Sequence, residues 1–239
     1  MKKKQLISTL LILFTPFWGF TQVITNQEQQ IWLGYITQSK VSNTHSIWND
    51  FHWVPGSFVL GRTGFTFHLS DSLKTTITAG YAFAMSYPPE NQNTFRPEHR
   101  PWGQITLTHK NTRFSYFHRF RYEARLRGLI IDDHLQNEFN FNHRLRYLFQ
   151  TRFYPNSKLN KKWFLMFSNE ILCNAGNDVK NHFRLDQNRI SLGTGLHYKK
   201  STFQIAYMNQ MIESNVSNTF KMNHNLQLLI FQNFDWRNK

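Results

Sequence analysis

Cys173 is the only cysteine among 239 residues, so no disulfide can form within the chain. Small exported folds often depend on such staples, whereas a sheet closed on itself does not. Acids are scarce as well. Fourteen Asp and Glu face 28 Lys and Arg, for a formal net charge of +14. Beyond the first 21 residues there is no apolar run long enough to span a bilayer as a helix, which excludes a helical membrane protein. No linker, low-complexity tract or repeat of 20–50 residues divides the chain, so it reads as one domain. Gly-x-Ser-x-Gly is missing. The histidines, among them His99, His118, His143 and His197, show no metal-ligand spacing. No cofactor or metal site is expected.

The N-terminus has the pattern of a cleavable export signal. Lys2, Lys3 and Lys4 form a positive start, and Leu6 to Phe20 is an almost uncharged apolar stretch interrupted by Pro16 and Gly19. Gly19-Phe20-Thr21 then supplies an imperfect small-residue cleavage site. The expected division is residues 1–21 as signal peptide and 22–239 as the exported domain. The strong basicity would suit nucleic acid, an anionic surface or an anion-lined interior. An exported protein rarely meets nucleic acid, which leaves the other two.

Aromatic residues are abundant: 23 Phe, 9 Tyr and 7 Trp in a chain of mean hydropathy −0.52. A polar average with many aromatics fits a barrel in which lipid-facing and lumen-facing residues alternate. The alternation is visible directly. From Arg113 to Arg125, Phe114, Tyr116, His118, Phe120, Tyr122 and Ala124 share one parity. Ser115, Arg119, Arg121, Glu123 and Arg125 share the other, with Phe117 the exception. The next segment repeats the pattern. Phe139, Phe141, His143, Leu145, Tyr147 and Phe149 alternate with Glu138, Asn140, Asn142, Arg144, Arg146, Gln150 and Arg152. In a strand these sets point to opposite faces, whereas a helical period would mix Phe with Arg all round. In Asp186–Tyr198, Gln187, Arg189, Ser191, Gly193 and Gly195 form the polar and small row.

Nine further or overlapping segments read as strands: 29–37, 45–53, 58–69, 73–84, 103–109, 163–174, 186–198, 202–211 and 222–234. Long connections at about 85–102, 125–137, 174–185 and 212–221 alternate with shorter ones, the rhythm of external loops and periplasmic turns. The fold class is therefore all-β: an antiparallel transmembrane β-barrel of about twelve strands, within a range of ten to twelve. The segments number eleven, but single-chain bacterial barrels usually carry an even number. A missing strand is expected near 37–60.

The candidate site is the inner row of arginines and acids: Arg119, Arg121, Glu123, Arg125, Glu138, Arg144, Arg146, Arg152, Glu170 and Arg189. Like charges opposite one another repel. Glu123, Glu138 and Glu170 are placed to interleave, and the planar Arg fork suits carboxylates. Such a row either fills a closed lumen or lines a narrow, anion-favouring channel. Expected partners are outer-membrane lipid, lipopolysaccharide and small anions. A lipid-modifying enzyme carried on the barrel is a second reading. Its weak candidates are Ser115 with His118, which parity puts on opposite faces, and Asp132-Asp133-His134 in a predicted outer loop. A secreted soluble β protein with the aromatic rows inside is a third.

Several motifs resemble a known family. They are Glu98-His99-Arg100-x-Trp102, Arg119-Phe120-Arg121-Tyr122-Glu123-x-Arg125, Arg144-Leu145-Arg146-Tyr147 and Asp186-Gln187-Asn188-Arg189, with Trp32 and Gly80-Tyr81 upstream. In this order they resemble the family labelled domain of unknown function 2490, common in Bacteroidetes. The resemblance covers nearly all of 22–239. It implies an outer-membrane barrel of a Gram-negative bacterium and no particular reaction.

Overall fold

The computed structural model describes residues 23–70, 74–155, 162–177, 179, 183–213 and 219–237. The expected signal segment lies outside them. The element order is β1 (Val23–Lys40), β2 (His45–Val54), β3 (Phe58–Ser70), β4 (Thr75–Ser86), β5 (Arg96–Lys110), β6 (Phe114–Ile131), β7 (His134–Phe153), β8 (Trp163–Ala175), β9 (Phe183–Tyr198), β10 (Ser201–Glu213) and β11 (Thr219–Asp235). Each strand pairs antiparallel with its successor, and β1 closes on β11 to give a barrel. Among the described residues no helix is long and apolar enough to cross a membrane.

The eleven strands match the eleven segments of period-2 alternation, and no extra strand lies between 37 and 60. Closure resolves the parity. In an up-and-down meander with an odd count, the first and last strands run the same way, so the seam must be parallel. The β1–β11 pair is parallel from Val23↔Thr219 to Lys40↔Asp235. The sheet is therefore mixed rather than wholly antiparallel. Its first strand begins at one rim and its last ends at the other.

One rim carries the links β2–β3, β4–β5, β6–β7, β8–β9 and β10–β11, among them 55–57, 87–95 and 132–133, and the other carries β1–β2, β3–β4, β5–β6, β7–β8 and β9–β10, among them 41–44, 111–113 and 199–200. Two expected loops are shorter than the sequence suggests. The stretch 125–137 is almost all strand: β6 and β7 run on to a two-residue turn at Asp132-Asp133, both left-handed at φ 48° and 59°. Such a turn matches the strand twist, and Asp tolerates that backbone. Likewise β5 begins at Arg96, inside the expected loop 85–102. Pro97 and Pro101 disguise it. Both keep register with β4, but pairing with β6 skips Arg100 and Pro101 and resumes at Trp102. A proline cannot donate to a ladder, so one side of the strand goes unpaired there.

Parity sorts the side chains. Exposed apolar residues cover the outside on every strand, from Ile31 and Tyr35 on β1 to Leu226, Leu228 and Ile230 on β11. The inside is packed with polar and charged groups between small apolar clusters, one of them Leu60, Ala82, Ala84 and Trp102. Trp102 fits because Gly64 and Gly80 sit opposite each other across β3 and β4. A Cβ on Gly64 would lie 2.8 Å from the Trp102 ring, and one on Gly80 would fall on the Thr63 carbonyl and the Gly64 backbone. Gly80→Val is therefore expected to cost at least about 1–3 kcal/mol, through overpacking against backbone that cannot yield. Gly61→Ala, where a Cβ meets nothing within 4 Å, should stay within about 0.5 kcal/mol of the parent. Denaturant midpoints of the two variants test the contrast.

Candidate functional site

The most unusual feature of the interior is its buried charge. A lone ion is costly to bury, so each must find a partner. Arg146 on β7 does this for two acids. Its Nη1 donates to Glu123 Oε1 on β6 at 2.9 Å, while Nη2 donates to both Glu170 oxygens on β8 at 2.8 and 3.0 Å. The fork geometry of guanidinium makes this double clamp possible. Glu170 also accepts from Arg119 Nη2 at 2.7 Å and from Arg189 Nη1 at 3.4 Å.

The contacts reach beyond neighbouring strands. Arg62 on β3 lies 3.8 Å from Glu123 on β6 and donates to both oxygens of Asp50 on β2 at 2.8 and 2.9 Å. Arg189 on β9 stands 5.1 Å over the Trp32 ring on β1. Trp32 Nε1 donates to His52 Nδ1 at 3.0 Å, and His52 Nε2 is 3.8 Å from Asp50. A continuous circuit therefore runs Asp50, Arg62, Glu123, Arg146, Glu170, Arg189, Trp32, His52 and back to Asp50. It crosses the lumen between β3 and β6, and again between β9 and β1.

A second tier lies toward the rim that carries 87–95 and 132–133. Glu98 accepts from Arg100 at 2.7 and 2.9 Å and from Arg125. Arg144 donates to Asn174 Oδ1 at 3.0 Å and Asp186 Oδ2 at 2.7 Å. Toward the other rim, Arg152 is held by an aromatic ring, 4.5 Å over Phe164 within the cluster Tyr154, Phe164, Met166 and Ala206.

Arg119, Arg121, Glu123, Arg125, Arg144, Arg146, Glu170 and Arg189 thus come together in these tiers, and Arg152 lies below them. Glu138 does not join: it is exposed, on the part of β7 that projects past the lumen. Its interleaving role falls to residues outside the expected inner row: Asp50 and Arg62, and Glu98, Arg100 and Asp186, which the sequence shows only within the family motifs. Asp50 and Arg62 face each other in register, a signal available only once β2 is aligned with β3. Glu98 and Arg100 were hidden by the prolines around them. Asp186 belongs by simple parity to the outer row. A bulge between Leu172 and Cys173 leaves it outside the ladder, and its carboxylate meets Arg144 inside.

The outer face has polar tips of its own. Tyr122 is hydrogen-bonded to His143 at 2.7 Å, Tyr147 to His118 at 2.9 Å and Tyr207 to His224 at 2.6 Å; Tyr81 contacts His99 in the same way. These cross-strand pairs give the outward histidines partners on an apolar surface. Ser115 is buried inside while His118 points out, so that pair does not meet. Ser46 and His68 do meet, at 2.6 Å, but Ser46 is fully buried, without the access a lipid-cleaving nucleophile needs. The aromatic rows lie outside and the arginine rows inside, the reverse of a soluble barrel holding an apolar ligand. Among the described residues no three His, Cys, Asp or Glu side chains converge as a metal site would require.

Asp132-Asp133-His134 is a structural clasp. The Asp133 carboxylate accepts from the backbone N–H of Asn93 at 2.9 and 3.0 Å and of Thr94 at 2.9 Å, and Thr94 Oγ1 donates to its carbonyl. The β6–β7 tip is thereby tied to the 87–95 loop. The N–H donors of Asn93 and Thr94 hold the Asp133 carboxyl below its usual range. A carboxyl with a depressed folded pKa stabilises above its unfolded pKa and loses that contribution as pH falls through the folded value. The clasp should therefore be intact at neutral pH and open in acid below the ordinary aspartate range. Asp133→Ala should open it at neutral pH, read as faster amide exchange at Asn93 and Thr94. In the lumen, Arg146→Ala removes the only guanidinium that hydrogen-bonds both Glu123 and Glu170 among the described residues and is expected to cost about 3–5 kcal/mol. Arg152→Met, which loses the contacts with the Phe164 and Phe231 rings and the hydrogen bond with Tyr154 but strands no carboxylate, should cost about 1–2 kcal/mol. Denaturant midpoints read both.

A search of curated proteins and a search of solved structures each found no match. One family model matches residues 29–221, from the first strand into the last, and it describes proteins of unknown function under the designation DUF2490. The chain belongs to the DUF2490 family.

Proposed function

We propose that this protein spans the outer membrane of a Gram-negative bacterium as a closed, non-enzymatic barrel whose lumen is plugged by its own charged side chains. Two features support the location. The outward rows form an apolar belt on all eleven strands, far beyond the patch a soluble monomer leaves bare. Strands of 10 to 20 residues are long enough to cross hydrocarbon at a tilt. Lipid and lipopolysaccharide would then be the surrounding partners.

The observation that carries the closed reading is the circuit through Arg62, Glu123, Arg146, Glu170 and Arg189. It joins strands that are not neighbours, so it occupies the middle of the lumen rather than lining its wall. A second reading, a narrow anion-favouring channel, draws on the excess of arginine. In the tiers described above, nine arginines (Arg62, Arg100, Arg119, Arg121, Arg125, Arg144, Arg146, Arg152 and Arg189) accompany five carboxylates (Asp50, Glu98, Glu123, Glu170 and Asp186).

Planar-bilayer recordings of refolded protein separate the two. The plugged barrel is expected to be silent, with conductance appearing in Arg146→Ala. Steady, anion-selective conductance from the parent that falls in Arg119→Ala or Arg144→Ala would replace the plug with a channel. Sedimentation with the outer-membrane fraction tests the location separately.

A further inference from the structure

The central tier is not balanced. Glu123 Oε1 is approached by three guanidinium groups: Arg146 at 2.9 Å, Arg121 at 3.7 Å and Arg62 at 3.8 Å. Arg62 has Asp50 as its own partner and Arg146 has Glu170. Arg121 has no carboxylate within hydrogen-bonding distance. Its Nε and Nη2 both donate to the neutral Gln104 Oε1, at 2.9 and 2.6 Å, and its guanidinium stacks 4.8 Å over Trp102. Its side chain is wholly buried, and Nη1 has no hydrogen-bond partner. Two residues away on the same face of β6, Arg119 reaches Glu170 through Nη2, while its buried Nε has no partner either.

A buried cation with a free donor is costly unless an anion or its equivalent satisfies it. Arg121 lacks a close carboxylate, and Arg119 shares Glu170 with Arg146 and Arg189. On adjacent inward positions of one strand, with Arg62 and Arg146 also near Glu123, they make a concentrated positive field facing the lumen. Planar guanidinium forks are the groups best matched to oxyanions.

We infer that the lumen holds a specific site for a small oxyanion of the phosphate or sulfate class, bound by the free donors of Arg121 and Arg119. The anion neutralises the surplus charge of the central tier and completes the plug from inside. The site rests on the interior geometry of the barrel and goes beyond the proposed role in the membrane: a plugged barrel and a channel would both contain it.

The test uses the full chain without its signal segment, refolded into a detergent free of phosphate. Folding is verified by the different gel mobility of unheated and heated samples. Inorganic phosphate is titrated by calorimetry and by its effect on thermal unfolding, with chloride at equal ionic strength as the control. Saturable binding that chloride does not reproduce is expected. It should weaken by about tenfold or more in Arg121→Gln, and in Arg119→Gln as a second variant should the first not fold. A folded parent that shows no saturable response to phosphate overturns the inference, as does an unchanged response in the folded variants. Vesicles of phosphatidylglycerol without added phosphate supply the lipid arm. Stabilisation there, with none from phosphate in detergent, would assign the anion to a head group at the rim and would also overturn the internal site. Bilayer silence or conductance leaves each of these outcomes readable, so failure of the functional proposal is separable from failure of this one.

Discussion

Everything inside this barrel answers to one constraint: a charge taken out of water must be met by another. Arg146 shows how the chain satisfies it. A single guanidinium, fixed on β7, holds carboxylates from the strands on either side, and each of those carboxylates holds further arginines. Lysine could not replace it, because a point charge has no rigid fork with which to bridge two acids. The pairing is cooperative in a plain geometric sense: removing one member weakens the pairing of several others.

That lattice and the wall depend on each other. The strands supply inward positions on a period of two, and the cross-lumen contacts fix how far apart non-neighbouring strands stand. The seam is the vulnerable place, since β1 and β11 meet only when the rest of the sheet has formed. Side chains reinforce it at several heights. Lys221 pairs with Glu28, Asn223 donates to Gln30 at 3.4 Å and Tyr35 donates to Gln232 at 2.7 Å, while Trp32 faces Arg189 across the interior. The parallel seam also sets the two ends of the sheet at opposite rims, a consequence of the odd strand count and not of any local signal.

Much of this was legible in the chain. The rows Arg119-Arg121-Glu123-Arg125 and Arg144-Arg146 declare their shared face because nothing interrupts their alternation. The same is true of the aromatic rows against them. Where alternation is broken, the sequence pattern and the fold part company. Pro97 and Pro101 made the start of β5 look like a loop and hid Glu98 and Arg100. The bulge opposite Leu172 and Cys173 moved Asp186 across the sheet. The β6–β7 arm lacks strong punctuation, so its length depended on a tight turn at Asp132-Asp133 that only the backbone angles reveal.

The sequence by itself determined what each strand presents to either side, because side-chain direction in a strand follows from residue parity and needs no knowledge of its neighbours. Export, the all-β class and a charged interior followed from that and from composition as expectations. Partnership was decided by the tertiary structure. Which acid meets which arginine depends on register, on bulges and on the curvature that brings β3 to β6 and β9 to β1, distances that no spacing along the chain encodes. For the same reason Glu138, with the right parity, is left in solvent, while Asp186, with the wrong one, is drawn inside. Parity is a local property of the backbone, but the match between charges belongs to the closed sheet.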